Sequence, residues 1–264
     1  MPRYGDKTPR FSDKIRRPII PALILAIAGA LAAQAHRQPS PAESQKDFLR
    51  KFVAAAVERT HHAVRYDPKY VRLAYPGGDV PPDTGVCTDE VIRAYRAVGV
   101  DLQKEVHEDM VQNFSAYPSR SIWRFQHPDS NIDHRRVPNL MVFFTRKGEV
   151  LPISARAEDY QPGDLVTWDL GRGVTHIGMV ADQKGLFSRR YMIVHNIGQG
   201  PKMEDVLFDW KITGHYRYFG PRWRRINVPP LKGVVFREHW QARLKSYPDI
   251  YLKSALTLFA DAIK

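Results

Sequence analysis

The chain reads as an α+β protein, with helices in its first half and a sheet of short antiparallel strands in its second. Three observations predict this. Apolar residues recur at helical spacing up to about residue 113. Short runs rich in β-formers, at 165–168, 177–180 and 192–195, gather in the second half. Turn clusters at 162–164, 171–173, 182–185 and 198–200 separate those runs at hairpin spacing. Helices first and strands after argue for α+β rather than an alternating order.

The bulk properties agree with a globular molecule. The chain has 264 residues, room for one large domain or two small ones, and 43% hydrophobic residues, enough for a core. A charged fraction of 26% excludes a disordered chain. The net charge is +12, which favours anionic partners. The basic residues are scattered and no zinc finger, recognition helix or aromatic RNA-binding signature accompanies them, so nucleic acid is not an expected partner.

Taken in order, the elements begin with a basic lead, Arg3, Lys7, Arg10, Lys14, Arg16 and Arg17, followed by an apolar run over 18–33 and the small-x-small pattern Ala33-Gln34-Ala35. Residues 1–35 therefore read as a signal peptide. The alternative is an uncleaved anchor in the inner membrane, although the run is short against the ~20 apolar residues of a spanning helix. Removing six Lys/Arg and two Asp leaves about +8. No later segment is apolar enough to span a bilayer. The protein is expected in the periplasm or secreted, or tethered there by its N-terminus.

Residues 36–44 read as a polar linker. A helix over 44–60 places Phe48, Leu49, Phe52, Val53, Ala56 and Val57 on one face. Residues 66–85 are turn-rich. A helix from Cys87 to about residue 98 buries Val91, Ala94, Tyr95 and Val98, with Gly99 as its stop signal. A further helical stretch covers 102–113, and 118–136 is polar and irregular. Residues 140–145 read as the first strand of the sheet. A tail over 221–264 ends in a helix over 249–263 with Leu252, Ala255, Leu256, Phe259 and Ile263 as its stripe.

Cys87 is the only cysteine. It has no disulfide partner, it opens a helix, and it sits in a chain expected in an oxidising compartment. A thiolate is the nucleophilic form, and a helix N-terminus favours negative charge. Asp89 opposes that ionisation, so a cationic partner is required. His176, entering a strand after a glycine turn, can take the thiol proton and return it to a leaving amine. His195 in the next strand can orient His176, with Asn196 its competitor for that role. Arg135, beside Arg136, can clamp a carboxylate bidentately. His107-Glu108-Asp109 and Asp133-His134 contain metal-ligand types, but there is no HExxH pattern, and no metal or cofactor is expected.

The order YPGG, GVCTDEVIRAYRAVGV, QPGDLVTWDL, THIGMVAD, IVHN resembles the papain-like NlpC-type cell-wall peptidases. More closely, over roughly 45–220, the chain looks like a group of secreted bacterial proteins with a domain of unknown function, through YPGGDVP, GVCTDEVIRAYR, DLQKEVHEDM and NIDHRRVPNL. The resemblance implies a papain-like catalytic domain over 45–220. It implies Cys87 as nucleophile, His176 as base, His195 as orienting residue and Tyr75 near the site entrance. It also implies peptidoglycan or cell-wall peptides as substrate, and hydrolysis of their amide bonds through a thioester. Two departures stand out. Val86-Cys87-Thr88-Asp89 replaces the usual Asp-Cys-Ser-Gly, and Thr175 replaces the glycine before the histidine. They keep two alternatives open: a wall- or partner-binding module of the same fold, and an acyl or peptidyl transferase. A monomer is expected.

Overall fold

Helix α1, Pro41–Arg59, begins inside the expected linker because its start is capped twice over. Ser40 Oγ accepts from the Glu43 N–H at 3.2 Å, and Glu43 Oε2 accepts from the Ser40 N–H at 2.7 Å. This reciprocal box, with Pro41 in the first helical position, needs no upstream residue. The computed structural model describes residues 40–223. The signal-peptide and anchor readings, most of the tail and the helix expected over 249–263 lie outside the described residues. Residues 40–43 belong to a first unit, Met1–Glu43, and the described residues from Ser44 on belong to a second, which carries everything below.

The α+β class holds. After α1 come two two-residue strands, β1 (Arg65–Tyr66) and β2 (Thr84–Gly85), paired in parallel. Then follow α2 (Cys87–Ala97), α3 (Leu102–Asn113), α4 (Ser119–Trp123) and α5 (Val137–Lys147). A six-stranded sheet follows: β3 (Glu149–Val150), β4 (Leu165–Asp169), β5 (Thr175–Lys184), β6 (Tyr191–Asn196), β7 (Pro201–Glu204) and β8 (Lys211–Arg217). Its order is β3-β8-β4-β5-β6-β7 and every pairing is antiparallel. Among the described residues no helix is long and apolar enough to cross a membrane.

One expected strand is a helix. Residues 140–145 fall inside α5, where Val137, Leu140, Met141, Val142, Phe143 and Phe144 are all buried. A short apolar run reads alike in a buried helix and a buried strand, and here an eleven-residue element with Pro138 near its start is the helical solution.

Helix α2 is enclosed: residues Cys87 through Tyr95 are all buried. Its polar side chains must therefore find partners. Arg59 of α1 donates to Glu90 at 2.8 Å. Arg93 donates to Asp79 at 3.0 Å and to the carbonyls of Val80, Pro81 and Thr84. The apolar side of α2 meets a cluster built from Phe52, Phe144, Ile177, Met179, Val194 and Tyr218, with the Phe52 and Tyr95 rings 4.4 Å apart. A smaller cluster, Tyr160, Val166, Trp168, Val180, Ile193 and Leu207, involves alternate residues of the same strands. The Pro-Gly-Asp entry to β4 has a clear purpose. Asp164 is fully buried and accepts from His215 Nε2 at 2.8 Å and Arg217 Nε at 2.6 Å, which fastens β4 to β8.

Candidate active site

Cys87 is the first residue of α2, so the free N–H groups of the helix start surround it. Its sulfur lies by the backbone N–H of Ile177, the residue after His176, and that N–H together with those of Thr88 and Cys87 itself favours the thiolate. Burial outweighs them, with Asp89 adding to it, and pushes the Cys87 thiol up to about 12.

The β4–β5 turn delivers His176. Gly171 and Gly173 adopt positive φ of 101° and 79°, and Val174 donates to the Gly171 carbonyl, so that Thr175 opens β5 in register with β4. His195 arrives from β6. The two strands close here because residue 178 is glycine: a Cβ at that position would lie 2.6 Å from Ile193 Cγ2 and 3.2 Å from His195 Cβ. His176 Nε2 and His195 Nδ1 stand 2.9 Å apart, and His195 Nε2 is 3.0 Å from Glu204 Oε2 on β7. The result is a line of three groups. Trp168 and Trp210 pack beside it: the Trp168 ring is 5.8 Å from His176, and the Trp210 ring is 6.1 Å from each imidazole. Burial, with His195 adding, pushes His176 down to about 3. Burial also lowers His195, against the pull of Glu204.

These directions run against an ion pair between Cys87 and His176. Among the described residues no hydrogen bond joins them, and burial favours the neutral form of the thiol and of both imidazoles. Desolvation of both groups is the reason. The orienting contact to His176 comes from His195. Asn196, fully buried, instead accepts from the Gly198 N–H at 3.1 Å through Oδ1, and its Nδ2 has no hydrogen-bond partner.

One further expectation changes. Arg135 does clamp a carboxylate with its fork, but the carboxylate is Asp89: Nε to Oδ1 is 2.8 Å and Nη2 to Oδ2 is 3.0 Å, with both side chains 2% exposed. A guanidinium already committed there is not a substrate clamp. Asp89 also accepts from the Val86 N–H at 2.7 Å, so the acidic residue that departs from the usual motif caps the helix of Cys87. Tyr75 sits at the surface with its ring edge on His107, 5.0 Å between centroids. Tyr66 on β1 has its hydroxyl pushed up by burial and then by the negative charge of the Cys87 thiolate and Asp89. Tyr66 and Glu204 escaped the sequence reading because each lies on a very short strand. His195 and Glu204 are nine residues apart across a hairpin, the one spacing that hinted at the second contact.

The residues with metal-ligand character have other work. Asp109 accepts from Tyr117 at 2.7 Å and from Arg146 at 2.6 Å, and Asp133 accepts from the Asp129 N–H. No cluster able to hold a metal ion occurs among the described residues.

An enclosed cysteine helix, a crossed sheet and a buried histidine pair define an α+β domain, and its residues 53–218 match the family described as a domain of unknown function, DUF1287. The chain belongs to that family. A relative is the "Uncharacterized protein YijF" of Escherichia coli (strain K12), 56% identical over 156 residues that make up 58% of this chain and 74% of that protein.

Proposed function

We propose that the domain is an exported, papain-like cysteine hydrolase that cleaves amide bonds in cell-wall peptides. The observation that carries the reading is the placement of Cys87, at a helix start and against the backbone of β5, one residue from the end of the His176–His195–Glu204 line. The net positive charge, still about +8 without residues 1–35, and the basic, then apolar, N-terminus support an anionic wall polymer met outside the cytoplasm. In this mechanism a substrate carbonyl reaches Cys87 and the thiol proton passes to His176 Nδ1. The sulfur bonds to the carbonyl carbon, and the oxyanion is met by N–H groups at the start of α2. His176 then gives its proton to the departing amine. Water hydrolyses the thioester and returns the proton to the sulfur.

The purified chain incubated with peptidoglycan should release soluble fragments, and Cys87→Ala should release none. Equal release by both proteins, or none by either, refutes the hydrolase. The neutral, buried thiol favours one second reading, a wall-binding module of the same fold. In that case both proteins sediment with peptidoglycan to the same extent and neither forms product.

A further inference from the structure

We infer that Glu204 sets the tautomers of both buried histidines, and that it does so in the sense that leaves His176 Nδ1 as the unprotonated nitrogen. The inference deepens the hydrolase reading, which supplies its use, but the hydrogen-bond argument stands without any reaction.

A carboxylate only accepts hydrogen bonds, and a neutral imidazole has one donor and one acceptor nitrogen. Glu204 Oε2 is 3.0 Å from His195 Nε2, so that nitrogen carries the proton. His195 Nδ1 is then a lone pair. It faces His176 Nε2 at 2.9 Å, so that nitrogen must carry the proton of the second ring. His176 Nδ1 is left bare. The direction of the whole line follows from the chemistry of its outermost member. Both rings are held neutral by burial between strands and tryptophans. Lys202, opposite His195 in register, donates to Gln199 Oε1, and its positive charge nearby further favours the neutral form of His195.

The reverse arrangement costs the site its base. If His195 Nε2 were bare, His195 Nδ1–H would donate to His176 Nε2, and the proton of His176 would move to Nδ1. Neither ring would need to shift. Glu204 is thus a positioning residue that acts through two rings on a nitrogen it never touches. It is also the open end of the line: its side chain is 40% exposed while that of His195 is 1%. Substitution there should leave the core intact.

The test is long-range proton–nitrogen correlation of the full chain with 15N-labelled histidine at pH 7.5. In the wild type, the nitrogens His176 Nδ1 and His195 Nδ1 should carry the unprotonated signature and both Nε2 the protonated one. A protonated His176 Nδ1 overturns the inference with no variant needed. Glu204→Lys, which places a donor where the acceptor was, should reverse all four signatures; a folded Glu204→Lys with the wild-type pattern also overturns it. The same spectra in Cys87→Ala separate this inference from the hydrolase. An intact pattern in a wild type that releases no wall fragments removes the activity and leaves the role of Glu204 standing.

Discussion

At the residue scale the decisive pair is Asp89 and Arg135. An acid two positions after the nucleophile looks hostile to a thiolate, yet its charge is matched by a bidentate guanidinium in a site both side chains share at 2% exposure. Arg135 also donates to the Lys69 carbonyl at 3.0 Å, so it ties the loop after β1 to the start of α2. Removing one partner strands a buried charge, which costs about 3–5 kcal/mol. Arg135→Met should lower unfolding stability in urea by that amount, and adding Asp89→Asn should recover part of it. Recovery would show that the cost lies in the orphaned carboxylate rather than in lost packing. The sequence disclosed the fork of Arg135 but not its target, because the two residues are 46 positions apart. Cys87, His176 and His195 were legible from a helix start and two strand patterns. Tyr66 and Glu204 were not, since strands of two and four residues carry no periodicity to read.

At the scale of elements, the meeting of β5 and β6 depends on one missing side chain. Gly178→Ala would set a methyl 2.6 Å from Ile193 Cγ2, inside contact distance, and overpacking of this kind costs about 1–3 kcal/mol. The urea midpoint should fall accordingly, and the His176–His195 hydrogen bond should lengthen or break, seen as loss of the paired imidazole signals. The exchange of a strand for α5 shows where pattern reading stops. Six apolar residues in eight, all buried, have no polar face from which a period could be measured. By contrast α3 begins at the residue its sequence suggests, because Asp101 accepts from the N–H groups of Gln103 and Lys104 and marks the boundary chemically.

At the scale of the molecule, buried titratable groups give stability a defined pH dependence. His134 and His176 are each pushed down to about 3 by burial, from an ordinary 6.5. Below pH 6.5 the unfolded chain binds protons at these sites that the folded chain refuses, so their contribution is present above 6.5 and is lost as pH falls toward 3. Asp133 works the other way. Burial pushes it up to about 6 from 3.8, so acidification through 6 relieves a cost. The two histidines outweigh the one aspartate, and melting temperature should drop steadily from pH 7 to pH 4.5. His134→Gln should flatten that slope; an unchanged slope would mean that His134 is not excluded from protonation.

The strand order has a further consequence, in time rather than in space. Strand β8 lies between β3 and β4, and Asp164 has neither His215 nor Arg217 to hold until residues 215 and 217 exist. Tyr95, buried in the last turn of α2, likewise donates a hydrogen bond from its hydroxyl to the carbonyl of Tyr218. A chain growing from its N-terminus therefore cannot close its sheet or finish burying its cysteine helix until some 218 residues have been made. Contacts so distant in sequence form slowly. Through most of its synthesis the polypeptide lacks a completed core, which waits for the arrival of β8, the last strand among the described residues.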